Sequence, residues 1–187
     1  MRIVGGSLSG RQLSGKPPAG TRPTPERVRE ALGSILASRG TFEGARVLDL
    51  FAGTGALAFE SLSRGARNAV LIDKNRLCIE SIREDAQRLG VADRVRPIVL
   101  DLLRSTTRVV EALASEPFTL VLADPPYDGA QRAVELLLAL HSQHVFSDGA
   151  TIVLEHGSRQ APVFPVAFEV VSRHRYGDTS LLIACVT

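Results

Sequence analysis

The fourteen residues from Val47 to Glu60, Val-Leu-Asp-Leu-Phe-Ala-Gly-Thr-Gly-Ala-Leu-Ala-Phe-Glu, constrain this chain more than any other stretch. Val47–Leu50 reads as a short buried strand carrying an acidic residue, Asp49, at its end. Gly53 and Gly55 then permit a tight turn and close backbone approach by a ligand. Ala56 to Leu62, rich in Ala, Leu and Phe, starts a helix. Strand, glycine turn and helix together point backbone N–H groups at a nucleotide-like ligand. Gly53-x-Gly55-x-x-Ala58 also satisfies the loose dinucleotide pattern. Taken alone it leaves NAD, S-adenosylmethionine and a turn that binds nothing equally open.

The residues around this stretch predict its setting. Apolar runs at Arg46–Leu50, Ala69–Asp73, Val95–Leu100, Phe118–Ala123 and Thr151–Glu155 alternate with helical patterns at Ala56–Ser63, Arg76–Leu89, Val109–Ala114 and Ala133–Leu140. Leu77, Ile79, Ile82, Ala86 and Leu89 are the expected core stripe of the second of these helices. Phe168–Arg173 and Ser180–Val186 form a final strand pair around Tyr176-Gly177-Asp178-Thr179. Apolar strands separated by helices make a parallel sheet covered on both faces, an α/β doubly wound fold. Ligands of such sheets sit beyond the carboxyl ends of the strands. Asp49, Asp73, Asp101 and Asp124 each fall at or beside one of those ends.

Upstream, Arg2–Leu13 is broken by glycines and reads as a hairpin or loose ribbon, and Lys16–Gly20 as a linker. Thr24-Pro25-Glu26 is a helix start, with Thr24 as cap and Pro25 in the first turn. Val28, Ala31, Leu32 and Ile35 follow on one face, and Gly40 closes the helix. Residues 1–30 carry six basic and two acidic side chains, a net of +4, on a remainder of net −2. A basic arm on a near-neutral body suggests a polyanion partner, with Arg2, Arg11, Lys16, Arg22 and Arg27 as candidate contacts. The division expected is a basic extension at 1–42 and a catalytic domain at 43–187. No apolar run reaches the length of a membrane span, the start lacks the long apolar segment of a signal peptide, and Cys78 and Cys185 are far apart in apolar surroundings. The cytoplasm is the expected compartment. His141, His144 and His156 are joined by no acid or thiol pattern that completes a metal site, so no metal is expected.

Asp73 follows Gly55 by 18 residues, near the spacing at which a carboxylate meets ribose hydroxyls. Charged hydrogen bonds of that kind contribute roughly 1.5–3 kcal/mol each. Asp101 is placed to accept from an exocyclic adenine amine. Asp49 beside the glycine turn favours a cationic ligand, which suits the sulfonium and ammonium of S-adenosylmethionine better than the pyrophosphate of NAD. Asp124-Pro125-Pro126-Tyr127 is the sharper signal. Two prolines fix the backbone after a strand. Their carbonyls and Asp124 are acceptors, and Tyr127 is a flat plate. That combination fits a nucleobase held by its amine and stacked on the ring.

Leu48–Gly55 together with Asp124–Tyr127 resembles the S-adenosylmethionine-dependent amino-methyltransferases of the seven-stranded class. Met1-Arg2-Ile3-Val4-Gly5-Gly6, Arg22-Pro23-Thr24-x-x-Arg27-Val28-Arg29-Glu30 and Tyr176–Thr179 narrow the resemblance to the RsmD family. The resemblance implies a Rossmann-like sheet in the order 3-2-1-4-5-7-6 with the last strand antiparallel, and a small N-terminal basic extension. It implies methylation of N2 of a guanine, position 966, in 16S ribosomal RNA, within a small ribosomal subunit or its assembly intermediate. Strand two of that family often ends in Glu where this chain has Asp73, a shorter reach for the same role. The candidate cofactor residues are Asp49, Phe51, Ala52, Gly53, Thr54, Gly55, Asp73 and Asp101, and the candidate catalytic residues Asp124, Pro125, Pro126 and Tyr127. Asp-Pro-Pro-Tyr also occurs in DNA adenine-N6 and cytosine-N4 methyltransferases, which remain the rival class beside an NAD-dependent oxidoreductase. Against the DNA reading, 187 residues leave no room for a separate recognition domain.

Overall fold

The computed structural model describes residues 1–15, 25–113, 116–126, 129–158 and 161–187. From the first strand onward, strands and helices alternate: β1 (Arg46–Leu50), α2 (Ala56–Ser63), β2 (Asn68–Asp73), α3 (Arg76–Leu89), β3 (Val95–Val99), α4 (Thr106–Leu113), β4 (Phe118–Ala123), α5 (Ala130–Ser142) and β5 (Phe146–Gly157). The helix α1 (Glu26–Ser38) precedes them, and the hairpin β6 (Phe168–Tyr176) and β7 (Thr179–Val186) follows. The seven strands form one sheet in the order β3-β2-β1-β4-β5-β7-β6, as expected. β1 to β5 are parallel, and β7 runs antiparallel between β5 and β6. Among the described residues no helix is long and apolar enough to cross a membrane.

The strands are apolar on both faces because both faces are covered. On one face Val47, Leu71, Leu120, Leu122 and Val153 meet α1, α2 and α3 through Val28, Leu32, Leu36, Phe59, Leu62, Ile79 and Ile82. On the other, Leu48, Leu50, Val70, Ile72, Val121 and Ile152 meet α4 and α5 through Val109, Leu113, Val134, Leu137 and Leu140.

Several local expectations shift. α1 begins at Glu26, with Pro25 in extended conformation at its cap, one residue later than the spacing predicts; Thr24 lies outside the described residues. Its buried stripe is Val28, Leu32 and Leu36, while Ala31 and Ile35 are half-buried. The core stripe of α3 is Cys78, Ile79, Ile82, Asp85, Ala86 and Leu89, and Leu77 is 71 % exposed. β5 starts five residues earlier than Thr151. Its register on β4 shifts between Phe118 and Leu120, and the strand passes through Ser147-Asp148-Gly149, with Gly149 at φ 70°, where the composition looks like a turn.

Residues 1–15 are a fixed antiparallel ribbon. Ile3 N–H donates to the Arg11 carbonyl at 2.9 Å and Leu13 N–H to the Met1 carbonyl at 2.7 Å. Ile3 and Leu13 point into the core shared with α1, α2 and β1. Gly5 and Gly6 let the ribbon lie on the end of α2: a Cβ at Gly5 would stand 2.2 Å from Arg64 Nη2, and one at Gly6 1.9 Å from the Ser63 carbonyl oxygen. There Glu60 accepts from the amides of Val4 at 2.6 Å and Gly5 at 3.3 Å. Arg64 Nε lies 3.6 Å and Arg29 Nε 4.0 Å from the same carboxylate. Burial pushes the Glu60 carboxyl up, and the Val4 bond, Arg64 and Arg29 pull it back only in part.

Glu60→Ala removes the acceptor of two ribbon amides and the counter-charge of the buried Arg29 and half-buried Arg64 guanidiniums. We expect a loss of about 3 kcal/mol in urea unfolding, partly recovered by Glu60→Gln. An unchanged midpoint would mean that the ribbon is held elsewhere.

Candidate functional site

The carboxyl ends of β2, β1 and β4 lie side by side, with Leu50 in register with both Ile72 and Ala123. The ladder continues one step past each strand. Ala52 N–H donates to the Ile72 carbonyl at 3.0 Å, and Asp124 N–H to the Leu50 carbonyl at 3.3 Å. Leu100 N–H donates to the Asp73 carbonyl at 3.0 Å. These bonds bring the glycine turn, Asp73 and Asp124 to one edge.

The turn is left-handed at Phe51 (φ 63°), Gly53 (φ 54°) and Gly55 (φ 74°). Its two glycines serve different ends. A Cβ at Gly53 would meet only the Phe51 carbonyl oxygen, at 4.0 Å, so the space beside it is open to a ligand. A Cβ at Gly55 would press on Leu71 at 2.9 Å and on Ile82 and Phe59 at 3.1 Å, so this glycine seats α2 against the sheet. Gly55 caps α2, whose start therefore faces the same edge.

Asp73 spans the turn and the next helix. Its Oδ2 accepts from Gly53 N–H at 2.8 Å and its Oδ1 from Asn75 N–H at 2.7 Å. Asn75 in turn caps α3, its side chain accepting from Leu77 N–H at 3.0 Å. A carboxylate has about four acceptor positions, so two remain for further donors. Asp101 stands in an exposed turn two residues past β3, where it accepts from Leu103 N–H at 3.1 Å. Asp49 lies one residue inside β1, only 2 % exposed, and accepts from Ala58 N–H in the first turn of α2 at 3.2 Å. Burial raises its carboxyl to about 8; the Ala58 bond opposes this and nearby Asp73 adds to it.

After β4, Pro125 and Pro126 carry no N–H, and the pairing stops. Gly129 N–H, at the cap of α5, donates to the Pro126 carbonyl at 2.7 Å. One of the two carbonyls expected to face a ligand is therefore used internally. Tyr127 lies outside the described residues, as do Lys16 and Arg22. Arg2 pairs with Glu26 at 2.8 Å, Arg11 donates to the Arg88 carbonyl at 3.1 Å, and Arg27 is exposed. His156, near the end of β5, is largely buried with Nδ1 2.9 Å from the Gly157 carbonyl oxygen. Among the described residues no three His, Cys, Asp or Glu side chains gather as a metal site, and both cysteines are free.

Sheet order, glycine turn, and acidic ends of β2 and β4 define a seven-stranded S-adenosylmethionine-dependent methyltransferase fold. The family model described as "Conserved hypothetical protein 95" matches residues 1–185. "Putative rRNA methyltransferase YlbH" of Bacillus subtilis is 30 % identical over 186 residues, covering 98 % of this chain and 97 % of that protein. "Ribosomal RNA small subunit methyltransferase D" of Escherichia coli K12 is 35 % identical over 127 residues, covering 68 % of this chain and 60 % of that protein. The structure titled "Putative methyltransferase yhhF from Escherichia coli" superposes with a TM-score of 0.81 at 30 % identity, over 100 % of this chain and 97 % of that one. The chain belongs to the RsmD family of methyltransferases. The oxidoreductase reading of the glycine turn falls away.

Two positions that sequence reasoning passed over are Glu60 and Asp85, buried carboxylates on α2 and α3. The signal for Asp85 was available: an acidic residue occupies a slot in an otherwise apolar helical stripe.

The raised Asp49 carboxyl sets a sign for stability. In the unfolded chain this group releases its proton near 3.8, whereas the folded protein keeps it to about 8. Between those values the folded state holds the extra proton, so stability falls as pH rises. Asp49→Asn removes that slope and still offers an acceptor to Ala58. We expect the variant to be more stable than the parent by at least about 1 kcal/mol at pH 8, with the gap closing toward pH 4. Parallel pH curves for the two proteins in thermal unfolding would show that Asp49 is ionised in the fold.

Proposed function

We propose that this protein transfers a methyl group from S-adenosylmethionine to the exocyclic N2 of a guanine in 16S ribosomal RNA, at the position equivalent to 966. The bound cofactor supplies a methyl group activated on a sulfonium. The observation that carries the reading is the Asp124 amide on the Leu50 carbonyl, which holds Asp-Pro-Pro against the glycine turn. The residues fit the cofactor. The open side of Gly53 admits its backbone-hugging portion, and Asp73 retains acceptor positions for ribose hydroxyls. The likeness to a small-subunit ribosomal RNA methyltransferase supports an RNA substrate, and the setting of this reading is a small ribosomal subunit or an assembly intermediate, in the cytoplasm.

The base leaves its stack, at a cost of a few kcal/mol, and lies on Tyr127. Asp124 and the Pro125 carbonyl accept the two N2 hydrogens; the Pro126 carbonyl, engaged by Gly129, takes no part. Those bonds draw the amine lone pair out of conjugation with the ring and aim it for in-line displacement. The N–methyl bond would form as the methyl–sulfur bond breaks, leaving a neutral thioether, and the methylated amine would then lose its proton to the Asp124 carboxylate or to water; positioning and electrostatics would supply most of the acceleration. The basic extension over residues 1–42 supplies phosphate contacts through Arg2, Arg11, Lys16, Arg22 and Arg27.

Incubation with labelled cofactor and small-subunit RNA or particles, followed by nucleoside mass spectrometry, tests the assignment. N2-methylguanine is expected; N6-methyladenine or N4-methylcytosine as product would move the protein to the DNA-type class. Asp73→Ala should weaken cofactor binding by about ten- to a hundredfold, or about 1.5–3 kcal/mol. Asp124→Ala should nearly abolish turnover with cofactor binding intact. Tyr127→Phe should keep most activity, and Tyr127→Ala lose far more. Near-normal turnover in Asp124→Ala would remove the mechanism whatever the product.

The arm is tested by salt. Replacing Arg2, Arg11 and Lys16 by Gln should spare cofactor affinity while lowering RNA affinity. Each lost phosphate contact should reduce the slope of log K against log salt by about 0.7. An unmoved slope would reduce the arm to a solvated surface.

A further inference from the structure

Asp85 is a fully buried carboxylate on α3, in a stripe otherwise made of Cys78, Ile79, Ile82, Ala86 and Leu89. Packing alone calls for an apolar side chain there. Instead the carboxylate gathers the end of the N-terminal ribbon. Its oxygens accept from Ser14 N–H at 2.9 and 3.0 Å, from Ser14 Oγ at 2.8 Å and from Gly15 N–H at 3.5 Å. Arg88 Nη2 completes the set at 2.6 Å and also donates to the Gln12 carbonyl. Burial works against this charge, and the bonds from Arg88, Ser14 and Gly15 outweigh it, so the carboxyl lies below its ordinary range.

The ribbon end held by Asp85 passes beside the glycine turn, with room for one methyl group between Gly15 and Thr54. A Cβ built on Gly15 would stand 3.5 Å from the Thr54 Cβ and 3.6 Å from the Thr54 Cα. The other ribbon end arrives at the same residue, with Met1 Sδ 3.7 Å from Thr54 Oγ1. Thr54 is the residue between the two left-handed glycines and is largely buried. The turn is thus gripped from two sides, by Asp73 on the Gly53 amide and by the ribbon on Thr54.

We infer that Asp85 is a positioning residue of the cofactor site, fixing Ser14 and Gly15 against Thr54 so that the Phe51–Gly55 turn is held ready for its ligand. The inference rests on the reading of that turn as the S-adenosylmethionine site. It also extends the site to a part of the chain that touches no reacting atom. The opening of the turn, not the chemical step, is what Asp85 controls.

The test uses the full chain with Asp85→Ala, the milder Asp85→Asn, which keeps one carbonyl acceptor, and Glu84→Ala as an exposed control on the same helix. Measured well below the unfolding temperature, Asp85→Ala should raise the dissociation constant for S-adenosylmethionine about tenfold, with turnover at saturating cofactor within about twofold. Asp85→Asn should fall between it and the parent, and Glu84→Ala should match the parent. Amide exchange at Gly53–Gly55 should quicken in the same order, in protein without cofactor. Lower thermal stability with unchanged affinity and unchanged exchange at the turn would make Asp85 a fold anchor only and overturn the inference. If Asp85→Ala does not fold, Asp85→Asn carries the same decision. A parent protein that binds no S-adenosylmethionine would sink the proposed function, while the exchange at Gly53–Gly55 would still judge Asp85.

Discussion

A backbone that is left-handed at Phe51, Gly53 and Gly55 does not hold itself. For Phe51, which has a Cβ, that conformation costs about 1 kcal/mol or more, and the surroundings must supply it. They do so from every side. Ala52 N–H is bound to the Ile72 carbonyl, Gly53 N–H to Asp73, and Gly55 N–H to the Ala52 carbonyl. The missing Cβ at Gly55 lets the start of α2 pack close on Leu71 of β2 and Ile82 of α3, so the helix start cannot swing away. The parallel sheet serves this arrangement by ending β1, β2 and β4 at one level, in register.

Three buried carboxylates surround that turn, and each meets the cost of burial differently. Asp49 has one backbone donor and holds its proton to about 8. Glu60 has two backbone donors and two guanidiniums, and its carboxyl still lies above its ordinary range. Asp85 has three donors from the ribbon and one from Arg88, and lies below it. Burial pushes all three up, most at Asp49, and the hydrogen bonds made to the charged form offset it least at Asp49 and most at Asp85. This difference also separates roles: the two well-satisfied groups tie the N-terminal ribbon to α2 and α3, while the poorly satisfied one stands in β1 beneath the turn. Burial with a single donor therefore keeps Asp49 neutral where the other two carboxylates are held by partners.

What the sequence made legible was whatever has a short period or a local pattern. The bounds of β1, α2, α3 and β4 follow from apolar runs and from punctuation at Gly53, Gly55, Gly90 and Pro125. The acidic ends stand out because each closes an apolar run. Long-range satisfaction was not legible. Nothing near Glu60 shows that its partners are Val4 and Gly5, 56 and 55 residues away. Nothing near Arg2–Leu13, broken by glycines, shows a fixed ribbon, because its order comes from carboxylates on two later helices. The early start of β5 was hidden for a local reason, since Ser147-Asp148-Gly149 carries turn composition but forms an irregularity within the strand. Leu77 was misassigned to the core because an apolar residue at the start of a helix matches the stripe in composition and not in phase.

The strand order explains why the two motifs meet although 70 residues separate them. From β1 to β3 the chain moves one way across the sheet, and with β4 it restarts on the other side of β1. The crossovers on the two sides therefore lie on opposite faces, as the two core clusters show. Where the direction reverses, between β1 and β4, the connections part to opposite faces, and such a switch point is where sheets of this kind hold ligands in a crevice. Phe51–Gly55 leaves β1 on one side of it and Asp124-Pro125-Pro126 leaves β4 on the other. The prolines then have a topological use beyond stiffness. Lacking N–H groups, they stop β4 from pairing further and release the chain at the crevice, before the Gly129 amide recaptures the Pro126 carbonyl and starts α5. A glycine turn after β1 and an acceptor-rich corner after β4, brought to one sheet edge, is the arrangement that a group transfer between two separately bound molecules requires.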